Sequence, residues 1–243
     1  MHVLRDYIIY PAGDYALTIS FGNTIDRTVN QVVLSLRNAM LTGSPWFLDI
    51  IPSYSSCTII YDPATIRKRN EGLAFEWAKQ EVIRIMESLP EPAEEKNRKV
   101  TIPVCYDPSV APDIRRLAAE RKIRMEEVIE LHSRQTYCVY LLGFLPGFAY
   151  MGTVDDRIAA PRLAKPRTRV PAGSVGIAGN QTGIYPLESP GGWNLIGKTP
   201  VRLFDSTLSD PVFFRPGDKV KFQVISLEEL DSFNLQSVQL ITQ

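Results

Sequence analysis

Hydrophobic alternation opens the chain. Tyr15, Leu17, Ile19 and Phe21 alternate with Ala16, Thr18 and Ser20, the period of a strand with one buried face. Tyr7–Tyr10 precedes it across the turn Pro11-Ala12-Gly13-Asp14, a hairpin signal. The spacing then lengthens: Val29, Val32, Val33, Leu36 and Met40 predict a helix, with Asn23 or Thr24 as its cap and Gly43 as its end. Trp46–Pro52 and Cys57–Tyr61 read as strands around Ser53-Tyr54-Ser55-Ser56. A second helix is expected over Asn70–Leu89, with Leu73, Trp77, Val82, Ile85, Met86 and Leu89 inward and Pro90 stopping it. The order β-β-α-β-β-α describes a small α/β sandwich over residues 1–93.

The polar, proline-containing run Pro90–Arg98 is the natural linker. Beyond it, over residues 98–243, Val100–Tyr106 reads as a strand. Pro112-Asp113 starts a helix with Ile114, Leu117 and Ala118 inward, and Met125, Val128, Ile129 and His132 mark another. Tyr137–Phe144, Val201–Phe204 and Val220–Ile225 are further strands, the last two bordering the turn Arg215-Pro216-Gly217-Asp218. Between Leu142 and Pro200 lie ten of the 15 glycines and seven of the 18 prolines. Such density forbids a long helix and points to short strands joined by shaped turns, hence a β-barrel or sandwich. The whole is α+β.

At 243 residues and 44% hydrophobic, the chain suffices for one large or two ordinary packed domains. Twenty-seven basic residues balance 27 acidic ones, which argues against a nucleic-acid partner, because that needs broad positive surface. Three separated cysteines, Cys57, Cys105 and Cys138, read as reduced thiols of a cytoplasmic protein. The start carries a Pro-Ala-Gly turn where a signal peptide needs an apolar run. The most apolar segment, Cys138–Gly152, is too short to span a membrane, so no membrane partner is expected.

The charge is uneven. Arg157, Arg162, Lys165, Arg167 and Arg169 stand in a stretch with no acid. Guanidinium groups grip carboxylates and phosphates with paired hydrogen bonds, and prolines limit the entropy lost on binding. The stretch reads either as a rigid anion-binding rim or as a solvated loop. Phe144, Phe148, Tyr150, Tyr185 and Trp193 would line a pocket beside it or fill a barrel. Gly192–Thr199 matches G-x-x-x-x-G-K-T, but Trp193, Leu195 and Ile196 fill the loop and a strand, not a helix, follows; the pattern reads as accidental, with Lys198 still able to meet a phosphate. His132 is either a general base or a structural residue of its helix, and two histidines leave no His-rich metal site.

The motifs His132-Ser133, Gly143–Tyr150, Pro161-Arg162, Pro166-Arg167, Val170–Ile177, Gln181–Pro186 and Ser189–Trp193 resemble one family. It includes the B-type subunit of bacterial 5-oxoprolinase, the Kip-type histidine kinase inhibitor and the allophanate hydrolase subunit 1 domain of urea carboxylase. Pro52-Ser53-Tyr54 and Tyr61-Asp62-Pro63 extend the likeness into the first half. Asp107–Ala111 departs from a glycine-rich turn, and Lys198 stands where arginine is common. The resemblance implies a cyclophilin-like barrel after the α/β domain. It further implies a composite site shared with a homologous C-type barrel subunit, with ATP and Mg as co-substrate. An A-type subunit would then complete ring opening of 5-oxoproline; the alternative partner is a sensor histidine kinase. Catalytic roles are then expected of His132, Arg162 and Arg167, and ligand contacts of Phe144, Pro146, Gly147, Phe148, Arg169, Gln181, Tyr185, Gly191, Gly192, Trp193 and Lys198.

Overall fold

A computed structural model describes residues 6–43, 46–69, 72–89 and 98–233. The contacts divide the chain into two units, Met1–Lys96 and Asn97–Gln243. The first contains β1 (Ile8–Pro11), β2 (Ala16–Ser20), α1 (Arg27–Gly43), β3 (Phe47–Pro52), β4 (Ser56–Tyr61), α2 (Pro63–Arg69) and α3 (Ala74–Ser88). Its sheet is antiparallel in the order β1-β2-β4-β3. Leu17 and Ile19 from β2 and Ile59 from β4 meet Val33 and Leu36 of α1 and Val82 of α3 in one core. The other face leaves Ile8, Tyr10 and Ile51 exposed.

Two helix expectations are corrected. The cap of α1 is Asp26, whose carboxylate accepts from the Val29 amide at 2.9 Å, because the helix begins later than Asn23 and Thr24. The single helix expected from Asn70 is two: α2 ends at Arg69 and α3 starts at Ala74, leaving Leu73 exposed rather than inward. Asn70 and Glu71 lie outside the described residues, as does most of the expected linker. Arg98 belongs to the second unit, since its guanidinium donates to Asp218 at 2.6 Å and 3.1 Å and to the Phe213 carbonyl at 2.6 Å.

The second unit contains β5 (Lys99–Cys105), α4 (Ile114–Arg121), α5 (Met125–Ser133), β6 (Thr136–Leu142), β7 (Ala149–Gly152), β8 (Arg167–Val170), β9 (Ser174–Ala178), β10 (Gln181–Ile184), β11 (Ser189–Gly191), β12 (Asn194–Lys198), β13 (Lys219–Ile225) and α6 (Leu227–Ser232). Seven strands close a cyclophilin-like barrel in the order β10-β7-β6-β13-β5-β12-β9. All barrel pairs are antiparallel except β5 with β13. A two-stranded ribbon, β8 with β11, stands apart from it. Val201–Phe204, expected as a strand, forms only the isolated bridge Phe204–Val212. Closure removes the sheet edges and buries Val104, Val139, Ile177, Ile196 and Phe222 in one core.

The accidental nature of the phosphate-loop match is visible in β12. A phosphate loop needs a helix after Lys198, but Asn194–Lys198 is itself a strand. Gly197 serves packing: a Cβ there would lie 2.6 Å from Val104 Cγ1.

Candidate functional site: an aromatic shelf with an arginine rim

A second, smaller apolar cluster of this unit contains Phe148, Val170, Ala178, Tyr185, Trp193 and Leu195. Its rings meet edge to face: Phe148 lies 5.2 Å from Tyr185 and 5.4 Å from Trp193 at interplanar angles of 81° and 84°. That arrangement sets the positive edge of one ring on the negative face of the next. Tyr150 closes the group, 4.8 Å from Phe148 and 5.9 Å from Trp193. Two glycines make room. A Cβ on Gly191 would lie 2.8 Å from Tyr185 Cζ, and one on Gly183 would lie 3.0 Å from Phe148 Cζ.

The loop Gly143–Phe148 brings one more ring to the surface. Its ends are joined by the Gly143 amide and the Phe148 carbonyl at 3.2 Å, and Gly147 turns the chain at φ 82°. A Cβ there would meet the Leu203 carbonyl at 2.9 Å. Phe144 has φ 68°, a conformation costly for a bulky side chain. That strain presents its ring 61% exposed, edge-on to Phe148 and Tyr185 at 5.6 Å and 6.4 Å.

The basic stretch lacks acids in sequence but not in space. Arg157 pairs with Asp155 at 3.1 Å and Glu127 at 2.9 Å, and Arg169 pairs with Glu188 at 2.7 Å. Arg167 donates to Asp113 at 2.7 Å, while its Nη1 is buried and has no hydrogen-bond partner among the described residues. Arg162 has no acid partner among the described residues, and its charge acts on the hydroxyls of both Tyr150 and Tyr185. Burial raises the pKa of each tyrosine, and Arg162 opposes the rise. Arg162 is therefore the free guanidinium of the rim.

Asp113 holds this region together from a 5% exposed position. Instead of capping α4, its Oδ2 accepts from the Leu195 amide at 2.7 Å and its own amide donates to the Leu195 carbonyl at 3.0 Å. Beside it, the buried Asn194 donates to the carbonyls of Pro161 at 2.9 Å and Ile177 at 3.0 Å, and accepts from Arg116 at 2.5 Å. The carbonyl of the residue before Arg162 is thus tied to the barrel wall. Nothing in the sequence pattern marks Asp113, Asn194 or Arg116 for this, because their partners lie far along the chain. Only the Pro112-Asp113 helix start is legible.

His132 is not at the rim. It is 0% exposed, stacked on Phe222 at 4.6 Å and 11°. The only hydrogen of the Thr182 hydroxyl goes to the Gly176 carbonyl at 3.1 Å, so Thr182 Oγ1 accepts from His132 Nε2 at 2.8 Å. Nδ1 then accepts from Tyr106 at 2.7 Å. Burial pulls the imidazole pKa down to about 3, so it stays neutral, with both nitrogens engaged. The expected general base is a core residue, because the inward face of α5 carries it beneath the barrel.

Of the other expected site residues, Phe144 stands exposed at the edge of the cluster near Arg162 and Arg167, whereas Phe148, Tyr185 and Trp193, expected as ligand contacts, are buried because they pack on one another. Gly191 lies against the Tyr185 ring, Gly192 against Pro166, and Gly147 against Leu203. Pro146 is an exposed residue of the loop. Arg169 is engaged with Glu188 in the open. Gln181, opposite Gly152 and Ala178, and Lys198, opposite Cys105 and Ser174, stand at strand ends with no described contact to the shelf. Burial pushes the Cys57 thiol up to about 12, so it is no nucleophile at neutral pH. Among the described residues, no three His, Cys, Asp or Glu side chains gather as a metal site, and no helix is long and apolar enough to cross a membrane.

Residues 7–214 match the family "Carboxyltransferase domain, subdomain C and D". The chain belongs to this family. It is 42% identical over 236 residues to the B-type subunit of 5-oxoprolinase from Bacillus subtilis, covering 95% of this chain and 98% of the relative. Among solved structures, it resembles TTHA0988 at 37% identity and TM-score 0.76, covering 87% of this chain but 40% of that one. The urea carboxylase of Kluyveromyces lactis shares the fold alone: 18% identity and TM-score 0.74, over 96% of this chain and 23% of that one. The chain thus spans nearly the whole of the Bacillus relative and less than half of each of the two longer solved chains.

Proposed function

We propose that this protein is the B-type subunit of an ATP-dependent 5-oxoprolinase, and that its barrel contributes one half of a site completed by the homologous C-type barrel subunit. The observation that carries the reading is Arg162: a cation without an acid partner among the described residues, set beside an aromatic shelf that lacks any base or nucleophile of its own. Such a surface binds and stabilises charge but leaves proton transfer to another chain. The match to the Bacillus relative along nearly the whole of both chains supports the same assignment.

A lactam carbonyl resists hydrolysis because its carbon is a weak electrophile. Transfer of the ATP γ-phosphoryl group to the lactam oxygen makes that oxygen a leaving group. Water then adds to the carbon, and the adduct collapses with cleavage of the C–N bond, the nitrogen leaving protonated as the amine, to give the γ-acyl phosphate of glutamate. A second water hydrolyses that to glutamate and inorganic phosphate. Mg accompanies the nucleotide as its counter-ion. Negative charge develops on the transferring phosphoryl group, and a preorganised guanidinium stabilises it. Arg162 fills that role; Arg167, committed to Asp113, fixes the ribbon from which the rim is built. Phe144, the exposed ring of the group, offers its face to a flat ligand, and the buried rings of Phe148 and Tyr185 back it.

The test is reconstitution. This chain mixed with its C-type barrel partner and the A-type ring-opening partner should release glutamate from 5-oxoproline with ATP, and omission of this chain should abolish it. Glutamate release at the same rate without this chain would refute the assignment.

A further inference from the structure

The first unit has a groove of its own, about 590 Å³, within the range of about 300–1,000 Å³ usual for small-molecule sites. It lies among the β1–β2 turn, the end of β4 and the starts of α2 and α3, and is lined by Asp14, Tyr61, Pro63, Arg67, Leu73 and Phe75 among others. The reaction proposed above makes no use of it.

The two helix starts differ: Asp62 caps α2, accepting from the amides of Ala64 at 3.0 Å and Thr65 at 3.2 Å, while Leu73, the residue before α3, offers no side-chain cap. The first-turn amides of α3, with the positive end of its dipole, are therefore open to an acceptor. Tyr61 is 1% exposed, and its hydroxyl has no hydrogen-bond partner among the described residues. Burial and then the Asp14 charge raise its pKa, so it remains a protonated donor. Asp14 and Arg67 carry opposite charges, and neither has an ion-pair partner among the described residues. Leu73 and Phe75 add apolar surface.

We infer that this groove binds a small amino acid with an apolar side chain. Its carboxylate would sit at the first turn of α3 beside Arg67, accepting from the Tyr61 hydroxyl. Its ammonium group would face Asp14, and its side chain would cover Leu73 and Phe75. A plain anion would meet the Asp14 carboxylate. A plain cation would meet Arg67 and the helix dipole. A ligand carrying both charges answers each, and the prolines and apolar walls disfavour a phosphate ester.

The test titrates the ¹⁵N-labelled full chain with L-leucine and L-phenylalanine, using acetate and isoamylamine as single-charge controls. Saturable amide shifts are expected at Gly13, Asp14, Ala74 and Phe75, with both controls weaker by at least about tenfold. Arg67→Ala and Asp14→Asn should each weaken binding about tenfold, and Tyr61→Phe a few-fold, with spectra elsewhere unchanged. Absence of saturable shifts into the millimolar range, shifts confined to the barrel, or equal binding by Arg67→Ala and Asp14→Asn would each overturn the inference. None of these outcomes depends on 5-oxoproline turnover.

Discussion

Arg162 and Arg167 stand five positions apart in one basic stretch, yet their surroundings give them opposite duties. Arg162 is exposed and has no acid partner among the described residues, so Arg162→Ala should leave stability within about 0.5 kcal/mol while abolishing turnover by the reconstituted complex. Asp113→Ala removes the carboxylate that holds Arg167 and the Leu195 amide, and should cost about 2–3 kcal/mol in urea unfolding, discounted because Arg167 is part-exposed. His132 supplies a pH signature. In the unfolded chain it takes a proton below its ordinary 6.5, whereas in the barrel it stays neutral to about 3. The unfolded state thus binds more protons between those values. The stabilisation is complete above about pH 6.5 and fades as pH falls, by up to about 1.4 kcal/mol per pH unit. Unfolding measured across pH 4–7 should show this component (a span of about 3 units), and His132→Gln should lack it. A pH–stability curve identical in the variant would remove the argument that His132 is a neutral core group.

At the scale of elements, strain and packing are exchanged for an exposed ring. Phe144 occupies a left-handed conformation at φ 68°, which glycine adopts freely. Phe144→Gly should therefore keep or raise stability, by up to about 1 kcal/mol in thermal unfolding, while weakening turnover because the shelf loses its outer ring. Gly191 works in the opposite sense: it lets β11 pass against the Tyr185 ring, and a methyl group there overlaps it. Gly191→Ala should cost about 1–3 kcal/mol and disturb the near-ultraviolet dichroism of the aromatic cluster. The loop and the ribbon thus shape the rim from two sides, each through one residue's backbone freedom.

At the scale of the whole molecule, the proposed function makes this chain half of a site. Among the described residues the shelf has one free arginine and no accessible base. The chain alone should release no glutamate from 5-oxoproline and ATP, and activity should rise with added C-type partner until the two are equimolar; turnover by the purified chain would contradict this.

Much of the architecture was legible in the amino-acid order. Period-two alternation at Tyr15–Phe21, helical spacing at Val29–Met40 and the Gly/Pro density after Leu142 depend only on neighbours a few residues away, so they specify elements. The aromatic positions by themselves left open a pocket lining or a packed filling, and folding buries Phe148, Tyr185 and Trp193 while leaving Phe144 exposed. Local order could not reveal which charges pair. Arg167 meets Asp113 across 54 positions and His132 meets Thr182 across 50, and only barrel closure brings them together. Tertiary structure therefore decided that His132 is sealed and neutral, that Arg167 is a strut, and that Arg162 is the rim's free guanidinium, because burial and electrostatic pairing are properties of positions in space.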